Sequence, residues 1–331
     1  MESQALKARV PTVSLFSEIE ADLPRAEQYI EETLTTQEPL LVEIATHLLK
    51  AGGKRLRPAL VMLAAKVHRY DLERILPVAT AVELIHMATL VHDDVVDHSQ
   101  LRRGRPTVNA KWSDAYSVLV GDYLFARAFQ LLADTGNNQV VRVMADVVYQ
   151  MSTGEIQQIA TTFKADQTEE DYYGRIAKKT ALFLAESCRL GGLVSGASEE
   201  AVEALAQYGY SLGMSFQIVD DILDFTASAP TLGKPIGSDL RAGILTLPVL
   251  HALKTSPRAE TLRRMIENRA AGDEEARSAS DIIRENGSLE YAYQTAHRFV
   301  QQAKDRLSLL PPGPAVNNLA VVADFVVDRA F

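Results

Sequence analysis

Two short acidic segments carry the most distinctive chemistry of this 331-residue chain. The first is His92-Asp93-Asp94-Val95-Val96-Asp97, the second Gln217-Ile218-Val219-Asp220-Asp221-Ile222-Leu223-Asp224, and each contains Asp-Asp-x-x-Asp. At about 100° per helical residue, Asp93 and Asp97 lie roughly 40° apart with Asp94 beside them, and Asp220, Asp221 and Asp224 repeat the pattern. Three like charges on one face repel, and acids in a last turn oppose the helix dipole, so each patch costs stability unless cations neutralise it. Carboxylate oxygens are hard ligands, and Mg²⁺ takes one or two of them while water and substrate phosphate complete its shell. A short acidic run is commonly a solvated helix end. Both runs here, however, are embedded in apolar sequence, LIHMATLVHDDVVD and SFQIVDDILDF. Their duplication points to metal ions holding a diphosphate between two helices. His92 and His98 flank the first cluster without the imidazole pairing of a zinc site, and read as ordinary polar helix residues.

The cations are grouped as well. Gly52-Gly53-Lys54-Arg55-Leu56-Arg57-Pro58 reads as a helix stop, a turn and a new helix, which gathers backbone N–H groups beside three positive charges. Arg102-Arg103-Gly104-Arg105-Pro106 follows the first acidic cluster directly, placing guanidinium groups next to the expected metal site. Lys178-Lys179-Thr180 precedes the apolar run ALFLA, and Lys234 lies in a loop beyond the second acidic cluster. In that loop a flexible cation could reach a leaving group, although any one of these lysines alone reads as a surface residue. Two acidic patches with two separate basic clusters imply two phosphorylated ligands and a bisubstrate reaction.

Helices are the elements that must position these groups. In LFSEIEADLPRAEQYIEETL, residues Leu15, Ile19, Leu23 and Ile30 fall near one face, which predicts an amphipathic helix over 15–34. Further helices are expected near 38–51, 57–70, 71–98, 113–134, 138–165, 168–194, 198–226, 241–254, 257–270, 273–286, 288–308 and 314–330, with no strand and no repeat. One domain over 1–331 is expected, its motifs within about 40–250. A hydrophobic content of 47% supports a large core. The single cysteine, Cys188, excludes an intrachain disulfide and reads as a small apolar helix residue. A net charge of −9 and a pI near 5.4 argue against a nucleic-acid partner. No run reaches the roughly 18 apolar residues of a membrane span, and MESQALKARVPTVSLF lacks the apolar stretch of a signal peptide, so a cytoplasmic location is expected.

Taken together, GGKRLRP, HDDVVD followed by RRGRPT, KKTA, FQIVDDILD and GKPIGSDL strongly resemble the trans-isoprenyl diphosphate synthases (polyprenyl synthetases), in that family's order over roughly 40–250. The resemblance implies an all-α isoprenoid synthase fold, a bundle of antiparallel helices around a central cavity. It implies that Asp93, Asp94, Asp97, Asp220, Asp221 and Asp224 hold three Mg²⁺ ions, with Mn²⁺ as a substitute, and an allylic diphosphate. Lys54, Arg57, His86 and Arg103 fall where the family binds isopentenyl diphosphate; Arg102, Lys179, Thr180, Gln217 and Lys234 fall where it contacts the allylic partner. A homodimer packed through helices near 113–165 is implied too, with delivery of product to membrane enzymes. The reaction so implied ionises the allylic diphosphate, lets the homoallylic double bond attack the cation and releases a proton to the departed diphosphate, without a protein nucleophile. Phe216 could add cation–π stabilisation, but reads first as a packing residue. In Asp239-Leu240-Arg241-Ala242-Gly243-Ile244 the chain lacks the lysine that the family often carries after the glycine, and Arg241 is the residue that could compensate.

Ala88 and Thr89, one turn before the first motif, are expected to line the start of a tunnel for the growing tail. Short-chain members place a bulky aromatic there, so these small residues predict a long product, octaprenyl to decaprenyl, with geranylgeranyl as runner-up. Leu119, Tyr123 or Phe129 could form a floor, and Met87 or Ile85 could intrude. Three alternatives remain open: a noncatalytic subunit of a heteromeric synthase, a terpene cyclase, and a binding module using its acids for calcium or a structural metal. The complete aspartate set opposes the first, and the two basic clusters oppose the others.

Overall fold

The computed structural model describes residues 15–53, 55–226, 237–269 and 273–328. The chain runs through α1 (Leu23–Leu34), α2 (Pro39–Lys50), α3 (Leu56–Lys66) and α4 (Leu72–Val96) into a small antiparallel hairpin of β1 (Leu101–Arg102) and β2 (Arg105–Pro106). It continues through α5 (Val108–Lys111), α6 (Asp114–Asp134), α7 (Asn138–Thr161) and α8 (Glu169–Ile176), which passes through a π-helical turn (Ala177–Ala181) into α9 (Leu182–Ser195). There follow α10 (Glu199–Thr226), α11 (Ser238–Arg241), α12 (Leu247–Thr255), α13 (Ala259–Glu267), α14 (Asp273–Glu285), α15 (Ser288–Leu307) and α16 (Pro314–Asp328). The fold is all-α, as expected.

Local chemistry explains where the boundaries depart from the periodicity. The amphipathic stretch from Leu15 becomes α-helix only at Leu23, with Pro24 in its first turn: proline has no N–H to donate, but its fixed φ suits a helix start. The span expected over 168–194 opens with a capping box, in which the Thr168 hydroxyl accepts from Asp171 N and the Asp171 carboxylate accepts from Thr168 N, and is then interrupted by the π turn. In place of one helix over 241–254, the short α11 precedes α12, which begins at Leu247 with Pro248 in its first turn. The hairpin corrects the expectation of no strand. Its tight turn places Arg103 and Gly104 at positive φ, and the reversal leading to it puts His98 at φ +50°, outside the helix in which it was expected.

Helix α4 is apolar around most of its circumference and therefore buries itself among neighbours. By length and composition it could cross a membrane, yet 72% of its most apolar window is buried within the protein. One core cluster gathers Val61 and Leu63 of α3, Val82 and Ile85 of α4, Leu124 of α6, Leu184 of α9, Leu212 of α10 and Val322 of α16. A second gathers Tyr172 of α8, Ile218 and Phe225 of α10, Val249 of α12 and Ala296 of α15. Helix α10 thus runs through both. At Gly213 it passes so near the π turn that a Cβ would lie 2.5 Å from Ala181 Cα. Cys188 is buried and free.

Candidate active site

The first acidic motif occupies the last turn of α4, with Asp97 at its C-cap, and the second the last turns of α10. The six carboxylates do not share one environment. Asp94 is 3% exposed. It accepts from Arg102 Nε at 2.8 Å and lies 2.7 Å from Arg102 Nη2, so the guanidinium that follows the helix clamps its end. Asp221, also buried, accepts from the Tyr172 hydroxyl at 2.6 Å and from Gln217 Nε2 at 3.0 Å. Burial, with the charge of Asp239, pushes its carboxyl up to about 8. Asp224 accepts from Ser238 N, Ser238 Oγ and Asp239 N at 3.1, 2.7 and 3.2 Å, and so caps the start of α11.

Asp93 and Asp97 instead feel the charge of the Lys179 ammonium without pairing with it, and their carboxylates take no hydrogen bond among the described residues. Burial pushes Asp93 up to about 6, against the pull of Lys179 and with help from Glu155 and Asp97. Lys179 Nζ lies 2.8 Å from Glu155 Oε2, and Gln158 Nε2 donates to the other Glu155 oxygen at 2.9 Å. Burial works against the lysine's charge, but Glu155, Asp93 and Asp97 outweigh it and hold its pKa above the usual value. The neighbouring Thr180 donates to Gln217 Oε1 at 2.8 Å. The π turn therefore presents consecutive residues to opposite motifs, Lys179 to the first and Thr180 to the second. Such one-turn irregularities recur where a helix must aim functional groups.

The other basic group forms its own cavity of about 300 Å³, lined among others by Arg55, Arg57, Glu83, His86, Arg103 and Phe216. Arg57 Nη1 lies 3.1 Å from His86 Nε2. Because arginine can only donate, Nε2 accepts and His86 is the neutral Nδ1–H tautomer. Burial, followed by the surrounding arginines, holds its imidazole well below the ordinary range. Arg57, lowered to about 10 by burial, remains a cation with its guanidinium 5.0 Å from the centre of the Phe183 ring. Arg103 docks on the Gly52 carbonyl and brings the hairpin to the end of the Gly52–Gly53 step. Asp220 contributes to the potential at Arg57, so this cavity and the second motif feel one another.

Lys54 and Lys234 lie outside the described residues. Thr89 keeps accessible surface and donates to His86 O at 2.8 Å, whereas Ala88 is fully buried, so only Thr89 of the two borders open space. Ile85 is fully buried and Met87 nearly so. Leu119 is 65% exposed and points away from the core, which corrects its assignment as a tunnel floor. Arg241 lines a crevice with Phe163, Met265 and Glu275, among none of the expected site residues. Periodicity and motif spacing missed Glu83, Glu155, Tyr172 and Ser238, because each meets its partner across the fold; a lone carboxylate in the apolar middle of α4, at Glu83, was the available signal.

Among the described residues no three histidine, cysteine or acidic side chains converge into a preformed metal site. The donors that are present fit a hard divalent cation whose shell a diphosphate completes: carboxylates on two helix ends, with no thiolate or imidazole competing. Carboxylates on two helix ends with a lysine near them, and arginines in a separate cavity, are the groups that the resemblance to the trans-isoprenyl diphosphate synthases, divalent metal-dependent prenyltransferases, implied. The family model for polyprenyl synthetase matches residues 38–283, and the chain belongs to that family. It is 43% identical to heptaprenyl diphosphate synthase component 2 of Geobacillus stearothermophilus, over 96% of this chain and 99% of that protein. Its fold matches the crystal structure of a decaprenyl diphosphate synthase from Rhodobacter capsulatus with a TM-score of 0.90 at 39% identity, over 96% of this chain and 98% of that one. It also matches a polyprenyl synthase from Caulobacter crescentus, complexed with calcium and isoprenyl diphosphate, with a TM-score of 0.91 at 36% identity, over 96% and 97% of the two chains.

Proposed function

We propose that this chain condenses isopentenyl diphosphate with an allylic primer, farnesyl or geranylgeranyl diphosphate, in a Mg²⁺-dependent reaction that gives a long-chain all-trans polyprenyl diphosphate. The observation that carries this reading is the π turn, which sets Lys179 against the first aspartate motif and Thr180 against the second while a separate arginine–histidine cavity is left for another diphosphate. Asp93, Asp97 and Asp220 are the carboxylates assigned to cations; Asp94, Asp221 and Asp224 shape the helix ends. Magnesium, when bound, withdraws charge from the allylic diphosphate. Lys179 and Arg102 stabilise the same charge as the carbon–oxygen bond breaks. Arg57 and Arg103 hold the second diphosphate, and His86, neutral, keeps Arg57 in place. The homoallylic double bond then attacks the allylic carbon, and the proton lost from the adduct goes to the released diphosphate.

Thr89 leaves the start of the tail path unblocked, and relatives named for heptaprenyl and decaprenyl products support a long product. Incubation with Mg²⁺, labelled isopentenyl diphosphate and each primer, followed by dephosphorylation and chromatography, tests the reading. Prenols beyond geranylgeraniol are expected. Geranylgeraniol alone would make this a short-chain enzyme, and no incorporation would remove the synthase reading for the isolated chain.

A second copy is the proposed partner. Tyr116, Val118 and Leu119 of α6 and Tyr149, Ile156 and Ile159 of α7 are exposed apolar side chains on the two helices expected to form a homodimer. The relative named as component 2 supports a second reading, in which a different subunit covers that face. Activity and a dimeric mass for the purified chain alone would favour the homodimer.

A further inference from the structure

Glu83 is a carboxylate 4% exposed in the middle of apolar α4. A buried carboxylate is costly unless it is paired. Its partner is Arg55, whose Nη1 lies 2.6 Å from Glu83 Oε1. Arg55 begins α3 from the left-handed region, at φ 48° and ψ 37°, a conformation that a side chain with a Cβ adopts only when its surroundings hold it there. The preceding turn is equally constrained. Gly52 and Gly53 have φ +72° and +152°, and a Cβ on Gly53 would meet Arg103 Nη1 at 2.6 Å. Arg103 in turn docks on the Gly52 carbonyl. The chain is thus fastened at Gly52 by Arg103 and at Arg55 by its pair with Glu83. Glu83 also lies in the same cavity as Arg57, His86 and Arg103, and its charge offsets that of both arginines.

We propose that Glu83 is a positioning residue for the second diphosphate subsite: acting through Arg55, it fixes the start of α3 against α4 so that the basic groups around the cavity meet isopentenyl diphosphate in a set geometry. The proposal rests on the bisubstrate reading above and concerns one of the two substrates. Its sign is diagnostic. If Glu83 acted only as a negative charge beside an anion site, removing that charge would tighten binding of a diphosphate; if it positions the start of α3, removing it loosens binding.

The test compares wild type, Glu83→Gln, Arg55→Gln and the double variant, by calorimetric binding of isopentenyl diphosphate without metal or primer and by steady-state kinetics with both substrates varied. Each single variant is expected to weaken isopentenyl diphosphate binding and raise its KM about tenfold, with kcat and the primer KM within about twofold. The double variant is expected to be no worse than either single one, because both changes break one link. Thermal unfolding followed by circular dichroism reports whether each variant folds, and should Glu83→Gln fail to fold, Arg55→Gln gives the same comparison from the α3 side. Tighter or unchanged isopentenyl diphosphate binding in the single variants, equal effects on both substrates, or additive losses in the double variant overturn the proposal. Wild-type protein that binds isopentenyl diphosphate but does not turn it over overturns the synthase reading and leaves the binding comparison to judge Glu83; wild type that does not bind it overturns both.

Discussion

Asp93 and Asp94 are neighbours in sequence with different surroundings: one feels the Lys179 charge without pairing with it, the other is clamped by Arg102. The repeated acid triplets and the arginine clusters were legible from sequence because charge embedded in an apolar helix needs a partner. Which acid of each triplet the protein itself engages was not legible, since Tyr172 reaches Asp221 across 49 positions and Arg55 reaches Glu83 across 28. Asp93→Asn is expected to lower kcat/KM about 10³-fold in the incorporation assay. Tyr172→Phe, which only frees an oxygen of Asp221, should cost about 10–100-fold. A reversed ranking would exchange the roles of the two motif positions. Thr89→Phe should shorten the longest prenol formed, and an unchanged product distribution would place the tail elsewhere. The titration of Asp93 has a definite sign. Its carboxyl is raised from 3.8 to about 6, so the stability it contributes is complete below 3.8 and is lost as pH rises through about 6. A ligating carboxylate must be ionised, so the affinity for Mg²⁺ with inorganic diphosphate is expected to rise through that same window. Calorimetric titrations at about pH 5 and pH 7.5 check this, and a flat profile would take Asp93 out of the cation site.

At the scale of elements, helix existence followed from apolar periodicity, whereas interruptions followed from contacts that periodicity does not encode. The π turn is one, set where α10 packs on it at Gly213. The hairpin after α4 is another: its two-residue strands are too short to alternate visibly, yet they deliver Arg102 to Asp94 and Arg103 to Gly52. Helices α4 and α6 meet at Gly121, where a Cβ would fall 2.0 Å from His92 Nε2, and the same imidazole nitrogen lies 3.1 Å from Val118 O. That ring can turn aside, whereas the Ala181 backbone facing Gly213 cannot, so Gly213→Ala should destabilise the protein by about 1–3 kcal/mol, read as a lower Tm. If Tm does not fall, α10 and the π turn are less tightly registered than this contact requires.

For the whole molecule, the apolar side chains left exposed on α6 and α7 predict association. Light scattering should give the mass of a dimer, and Ile156→Asp combined with Ile159→Asp should shift it toward the monomer. A dimer indifferent to both changes would place its interface on another face. From sequence the resemblance pointed only to the helices near 113–165, and Leu119 was read as a tunnel floor; that these particular side chains are exposed emerged with the fold.

His86 and Asp93 stand on one rod. Seven residues of α-helix separate them, a rise of about 10 Å that does not change with the length of whatever hydrocarbon is bound. On the proposed reaction, each newly extended chain carries the headgroup that arrived in the arginine cavity, and must move it one fixed step along α4 to the aspartates before the next unit can enter. The enzyme would then work as a ratchet with a single stride, and its tail path would have to accept a longer occupant at every stroke while the stride itself stayed constant.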